Sequence, residues 1–331
     1  MSDRLARLPV LLLAPHSHCN CRCVMCDIWR APRHEALSAA DVAQLVPDMR
    51  RLGVERVVLT GGEALMHADL WTLCGHLREA GVAITLLSTG VTLARDAADV
   101  AHVCDEVLLS VDGPRPIHDA IRRVRGAFDR LADGIAALRS AGPQVRIGGR
   151  CTVQHTNVGA LGDTVAAAHV LALDDISFLA VDVASTAFNR PVGWTADRQA
   201  EVVVSAGDLD VLDRQLAELE RDRAADFASG FIVESPDKLR RRLLWHFQAV
   251  HGLRPFPPQR CNAPWVSSVI EADGAVRPCF FHRAIGNLRD GGGLDAVLNG
   301  AEAQAFRHAL DVSTDPICRR CVCTLYREAA S

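Results

Sequence analysis

Six short apolar runs recur through the first half of the chain: PVLLLA (9–14), RVVLTG (56–61), AITLLST (83–89), EVLLSVD (106–112), VRIGGRCTV (145–153) and DISFLAVDV (175–183). Most are near-continuous, as strands of a parallel sheet buried on both faces should be. The stretches between them have helical patterning. One helix opens at Ser38 with Asp41 three residues on, a capping-box pattern, and stops at Gly53. A second covers 68–80 and stops at Gly81, and a long third covers 117–140 and stops at Gly142. Such alternation predicts an α/β domain over 8–185. Six strands fall short of the eight in a closed β/α barrel, so an open, partial (β/α)6 barrel is expected.

The pattern changes after 185. Residues 186–256 read as a helical cover without strands, with Ser235-Pro236 a good N-cap and N1 pair. Residues 257–331 form a small third unit. In it, WVSSVIEADGAVRPCFF (265–281) reads as a hairpin around Asp273-Gly274. A helical stretch (294–310) and the sequence CRRCVC (318–323) follow.

Composition excludes several function classes. The longest apolar runs, such as VLLLA (10–14), are far too short to span a bilayer. Arg4 and Arg7 ahead of an apolar run faintly resemble a signal peptide, but Pro9 interrupts the run and no small-x-small cleavage site follows. A cytoplasmic protein without membrane contact is expected. The net charge of −4 gives no electrostatic case for a nucleic-acid partner. The short basic runs Arg122, Arg123, Arg125 and Arg240, Arg241, Arg242 read as solvated helix faces.

The 12 cysteines are unevenly placed: four lie within 19–26 and five within 261–323. Disulfides are not expected in a cytosolic chain, and clustering at two ends suggests two metal sites. Cys19, Cys23 and Cys26 form C-x3-C-x2-C directly after the first strand, at the strand end where βα folds gather active sites. Three thiolates can bind three irons of a 4Fe–4S cluster and leave the fourth iron open. Cys21 lies in the same loop but does not fit this spacing. A zinc loop with His16 or His18 as fourth ligand stays open on spacing alone. So does a redox dithiol at Cys23–Cys26, although it leaves Cys19 unexplained.

C-x3-C-x2-C after the first strand of a βα-repeat domain resembles the radical S-adenosylmethionine (radical SAM) superfamily. TGGEAL (60–65) resembles that family's GGE motif, LLSTG (86–90) its third-strand segment and LLSVDGP (108–114) its fourth. The resemblance covers about 15–185. It implies SAM contacts from Gly61, Gly62, Glu63, Ser88, Ser110 and Asp112. The glycines suit close backbone approach, and a carboxylate at Glu63 suits an ammonium. Met25 stands where the family usually carries an aromatic residue, and a thioether can fill the same space.

Cys261, Gly274 and Cys279 read C-x12-G-x4-C, and Cys318 and Cys321 follow as C-x2-C. This resembles the SPASM/twitch extension of radical SAM enzymes, in its shorter form with one auxiliary 4Fe–4S cluster. A zinc ribbon from the same thiolates is the plainer alternative. Cys323 either replaces Cys321 as ligand or acts in catalysis.

The resemblance implies two 4Fe–4S clusters, bound SAM and an electron donor such as flavodoxin or ferredoxin. Reductive cleavage of SAM would yield a 5′-deoxyadenosyl radical that abstracts hydrogen from an unactivated C–H bond. The substrate would then be oxidised, epimerised, cleaved by elimination or decarboxylation, or joined in a new bond. Arg150 and Cys151 on the fifth strand are candidates to grip an anion and to take part in catalysis, since one of two neighbours should face the barrel interior. A chain that begins almost at its first strand leaves little room for a peptide-recognition domain. The expectation therefore leans to a small polar metabolite: a sugar, an aminocyclitol or a nucleotide-derived compound. Maturation of a ribosomally made peptide is the alternative. A non-catalytic iron–sulfur or metal-binding scaffold is a third, although a scaffold needs no SAM contacts. A cyclisation of the molybdenum-cofactor type is narrower still, because its auxiliary site typically has three cysteines and four are available here.

Overall fold

The computed structural model describes residues 3–328, so the last three positions of the 257–331 unit lie outside the described residues. The six apolar runs are all strands: β1 (Val10–Leu13), β2 (Arg56–Leu59), β3 (Ala83–Ser88), β4 (Glu106–Ser110), β5 (Arg146–Val153) and β6 (Asp175–Ala180). Each pairs in parallel with the next, in the order β6-β5-β4-β3-β2-β1. Side chains alternate across each strand. One set, including Leu11, Val57, Ile84, Val107, Ile147 and Ile176, is fully buried beneath the helices. The other set faces inwards, and residues from all six strands line a single cavity, so the sheet curves as a partial barrel.

The connecting helices are α1 (Ala39–Arg51), α2 (Leu70–Glu79), α3 (Leu93–Val103), α4 (Arg115–Arg122), α5 (Ala127–Ala141) and α6 (Leu161–Val170). At α1 the capping box forms as expected, with Asp41 N donating to Ser38 Oγ at 3.1 Å and Ser38 N to Asp41 Oδ2 at 2.7 Å. The long helix expected over 117–140 is two helices. Arg123 closes α4 in the left-handed region (φ 53°), and Gly126 (φ 71°) opens α5. Apolar periodicity continues through such a break and does not reveal it.

Residues 186–256 hold α7 (Ala196–Ala200), α8 (Leu209–Asp222), α9 (Ala224–Ser229), α10 (Pro236–Arg242) and α11 (Leu244–Val250). Ser235 Oγ caps α10 by accepting from Lys238 N. This stretch is not wholly helical: Ile232 makes a parallel bridge to Ile176 beside β6. The hairpin at Asp273-Gly274 is present as β7 (Ser267–Ile270) and β8 (Ala275–Arg277). A short β9 (Gly286–Asn287) follows, and β7 pairs in parallel with β1. The barrel sheet therefore runs on into the C-terminal unit as nine strands, which local patterning could not reveal.

Two buried histidines make the fold acid-sensitive. His118 on α4 is fully buried against Phe128, and its Nε2 has no partner. His246 on α11 packs its ring on Phe247 and Phe256. Burial holds each at a pKa of about 4, below the usual 6.5. Protonation thus opposes folding: stability is full above pH 6.5 and falls as pH drops from 6.5 towards 4. Each histidine should contribute a slope of about 1.4 kcal/mol per pH unit. Chemical denaturation at pH 7 and pH 5 should show this loss, and His118→Gln should reduce it.

Candidate functional site

The loop after β1 carries the first four cysteines, and its backbone is clamped at both ends. Ser17 N donates to Glu35 O at 3.0 Å and Leu37 N to Pro15 O at 2.9 Å. The middle rests on the TGGE turn that follows β2. Glu63 N donates to His18 O at 2.8 Å, Gly62 N to His16 O at 3.4 Å, and the His16 ring bonds Glu63 O at 2.7 Å. A Cβ at Gly62 would lie 1.8 Å from the His18 carbonyl oxygen. Gly61 has φ +95°, and a Cβ there would meet Ala14 Cβ at 2.7 Å. The close backbone approach that demands these glycines is therefore made by the cysteine loop itself.

Cys19, Cys23 and Cys26 lie close enough to shift one another's ionisation. Burial pushes the Cys19 and Cys26 thiols up to about 12, and nearby Cys23 adds to both shifts. Cys23 is held down, to about 6, by a hydrogen bond from Cys21 and by the adjacent Arg122 guanidinium. Arg122 Nη1 is 3.5 Å from Cys23 Sγ, and its other nitrogens bind Asp112 Oδ2 at 2.7 and 2.5 Å. This arginine is buried, against the expectation of a solvated face; Arg123 and Arg125 beside it are exposed. A buried cation next to buried thiols fits a site built to hold thiolates.

The residues expected to touch SAM fall into two groups. The Glu63 carboxylate is fully buried and already accepts four hydrogen bonds. They come from Leu65 N (3.3 Å), Ser88 Oγ (2.8 Å), Thr89 N (2.7 Å) and Thr89 Oγ1 (2.5 Å). Burial raises its pKa and those donors oppose the shift. Asp112 is likewise engaged by Arg122 and by Thr152 N at 3.2 Å. Glu63, Ser88 and Asp112 thus fasten the strand ends to one another. Ser110, in contrast, is partly exposed and has no side-chain hydrogen bond among the described residues. Two further groups at this end of the sheet escaped sequence reasoning. Gln154, one residue past β5, is fully buried with neither amide atom partnered, and Asn20 Nδ2 in the cysteine loop is also unpartnered. Buried polar atoms without partners mark room for a polar ligand. A polar residue straight after an apolar strand was the only signal for Gln154.

The cavity inside the barrel has a volume of about 480 Å³. A charge network made by Arg56, Thr85, Glu106, Arg146 and Asp175 joins the inward side chains at the strands' N-terminal ends. Arg150 faces this cavity, its Nε 3.4 Å from Ser177 Oγ, with no acidic partner in ion-pair reach among the described residues. Cys151 faces the other way. It is fully buried in the helix layer, its thiol pushed well up by burial and 3.5 Å from Asn157 Nδ2. The structure does not bring Cys151 to the cavity.

All five C-terminal cysteines line the same cavity. Cys261, Cys279, Cys318 and Cys321 are partly buried, and burial pushes the Cys279 thiol up to about 11. Cys261 and Cys279 both act on the ionisation of Cys318 and Cys321, so the four sulfurs converge. Cys323 is exposed, and its N–H points at Cys321 Sγ at 3.4 Å. His282 was missed from the sequence: it is buried, with Nε2 3.4 Å from Cys318 Sγ and 3.8 Å from Asp315 Oδ1. Convergent thiols at each end suit iron–sulfur ligation, and the open polar groups beside the first set suit a SAM molecule.

The model of the radical SAM superfamily matches residues 13–165, and that of the SPASM iron–sulfur cluster-binding domain matches residues 261–322. The chain therefore carries a radical SAM domain and a C-terminal SPASM iron–sulfur cluster-binding domain. These two domains imply SAM and two 4Fe–4S clusters as cofactors. Fe-coproporphyrin III synthase of Methanosarcina barkeri is 29% identical over 45% of this chain and 38% of its own length. PqqA peptide cyclase of Ruegeria pomeroyi is 25% identical over 85% of this chain and 70% of its own. The fold resembles SuiB of Streptococcus suis bound to its precursor peptide SuiA, with a TM-score of 0.67 at 14% identity, covering 98% of this chain and 73% of that one. The first curated relatives are matched over less than half of their own length. No helix among the described residues is long and apolar enough to cross a membrane.

Two substitutions test the two ends separately. Gly62→Ala should displace the cysteine loop and cut reconstituted iron from about eight to about four atoms per chain. Cys279→Ala should also lower iron to about four but leave the first cluster's SAM-dependent spectroscopic change intact. Iron analysis with electron paramagnetic resonance reads both outcomes.

Proposed function

We propose that the protein is a radical SAM enzyme that modifies a peptide, the alternative weighed against a small metabolite above. The observation that carries this is the extent of likeness to PqqA peptide cyclase. An alignment over 85% of this chain must extend beyond the barrel into the helical cover and the cysteines after it. The Fe-coproporphyrin III synthase likeness, over 45% of the chain, is only long enough for the barrel portion. A likeness confined to the shared barrel does not by itself fix the substrate.

When bound, SAM and the first cluster would supply one-electron radical chemistry at an unactivated C–H bond of the substrate. The chain's own residues do the rest. Cys19, Cys23 and Cys26 hold the first cluster, and Arg122 offsets their negative charge. Ser110, Gln154 and the Gly61–Gly62 backbone hold SAM. The apolar cavity wall, which includes Leu87, Leu108 and Phe280, keeps water from the reacting carbon. Arg150, one strand from Ser110 in register, grips a carboxylate or other anionic group of the substrate. Cys261, Cys279, Cys318 and Cys321 hold the auxiliary cluster at the far side of the cavity, with Cys323 left as a free thiol.

The test is anaerobic. Holoenzyme with SAM and dithionite should form 5′-deoxyadenosine. A pool of random synthetic heptapeptides should raise that rate, and a pool of sugar phosphates and nucleotides should not. The reverse pattern would return the substrate to the small-metabolite class. Arg150→Gln should lower the peptide-stimulated rate about tenfold or more, the loss expected for a charged contact, while leaving the unstimulated rate unchanged.

A further inference from the structure

Three of the four thiols assigned to the auxiliary site receive a backbone N–H from a residue just beyond them in the chain. Ala263 N donates to Cys261 Sγ at 3.5 Å and Cys323 N to Cys321 Sγ at 3.4 Å. The Phe281 and His282 N–H groups both donate to the Cys279 sulfur. Cys318 differs, and its place in the chain explains why. It lies in the short helix Pro316–Arg319, where the Arg320 N–H turns back onto the carbonyl oxygens of Ile317 and Cys318. The corresponding donor is therefore spent on closing the helix. A side chain from another segment stands in its place: His282 Nε2 lies 3.4 Å from Cys318 Sγ.

The same ring nitrogen is 3.8 Å from Asp315 Oδ1. A thiolate and a carboxylate only accept, so the ring hydrogen belongs on Nε2, facing both. Asp315 is fixed there, because its Oδ1 caps the helix by accepting from Ile317 N at 2.9 Å and Cys318 N at 2.8 Å. An anionic group is thus held beside the Cys318 sulfur, and His282 is the donor that faces the pair. The ring is buried, edge-on to Phe306 at 5.0 Å, and Arg277 Nη1 donates to the His282 carbonyl oxygen at 3.0 Å. We propose that His282 is a positioning residue of the auxiliary cluster site: it joins Cys279 through its main chain to Cys318 through its ring, and its ring N–H raises the reduction potential of the cluster held there. A hydrogen bond to a ligand sulfur draws off negative charge and so favours the reduced form. This role rests on the auxiliary-cluster reading of the four thiols and not on the identity of the substrate.

The test is a redox titration of reconstituted holoenzyme with SAM present, read by electron paramagnetic resonance, the first cluster being recognised by its change with SAM. His282→Phe, which fills the space but removes the donor, should make reduction of the auxiliary cluster about tenfold less favourable, a midpoint about 59 mV lower. His282→Gln, whose amide nitrogen can stand where Nε2 stands, should recover most of that shift. The first cluster's potential should move in neither variant. A wild-type potential in His282→Phe with about eight irons bound overturns the proposal. So do equal shifts in the two variants, which would mark a packing effect alone. If His282→Phe fails to hold the second cluster, pulsed electron paramagnetic resonance of wild-type holoenzyme carrying isotopically labelled histidine decides. A weak coupling of a histidine nitrogen to the reduced auxiliary cluster is expected, and it should vanish in His282→Gln. Its absence from the wild type, or a strong coupling of the kind a nitrogen bonded to iron gives, overturns the proposal. Wild-type protein that binds only about four irons would instead remove the auxiliary cluster itself, and this role with it.

Discussion

The contact on which the site depends is a backbone one: the TGGE turn after β2 lies flat against the main chain of the cysteine loop. Glu63 N on His18 O and the His16 ring on Glu63 O tie the two together within normal hydrogen-bond distance. The contact is possible only because Gly62 has no side chain, since a Cβ would fall inside the His18 carbonyl. A loop of four cysteines with little regular structure would otherwise have many conformations, and ordering it costs about 1–2 kcal/mol per residue. Fastening its centre to a strand end lets the barrel bear that cost. The Glu63 carboxylate extends the same fastening to β3 through Ser88 and Thr89. A motif expected to serve a ligand thus first serves to set where the ligand's cluster sits.

A second constraint runs through charge. Asp112 and Arg122 form an ion pair buried in the barrel wall, and Arg122 also reaches Cys23. Buried pairs of this kind give little net stability, because desolvation offsets the attraction, but losing one partner costs about 3–5 kcal/mol. The pair is better understood by what it prepares. A thiolate beside a fixed guanidinium is favoured over the thiol. Asp112 holds the guanidinium in place, while its own charge opposes the Cys23 thiolate in part.

Much of this was legible in the sequence because it is local. The six strands announce themselves as apolar runs, α1 by Ser38 and Asp41, the hairpin by Asp273-Gly274, and the two groups of neighbouring thiols by cysteine spacing. What stayed hidden depends on contacts between distant segments or on which way a side chain turns. The pairing of β7 with β1 joins residues some 250 positions apart. Arg122 and Arg123 are adjacent and chemically identical, yet one is buried and the other exposed, because α4 ends between them. Arg150 and Cys151 pose the same problem on a strand. Alternation says that only one faces the barrel, and the register with β4 and β6 is needed to say which. Gln154 is hidden for another reason: an unpartnered buried amide is a property of its surroundings.

The arrangement of the cavity bears on how a radical on a substrate would be handled. Its walls come from the barrel strands on one side and from the five C-terminal cysteines on the other, while Cys19, Cys23 and Cys26 do not line it. The floor charges are mutually satisfied: Arg56 and Arg146 meet Glu106 and Asp175. Arg150 is the cation left over. An unpaired charge in an apolar cavity is costly unless a ligand supplies its partner. Position then follows from chemistry. A substrate anchored at Arg150 would stand next to Ser110, at the SAM end of the sheet, while its far side lies towards the auxiliary site. Arg150 and Ser110 are register neighbours on β5 and β4. Groups carried on two adjacent strands hold a ligand more precisely than groups on a flexible loop.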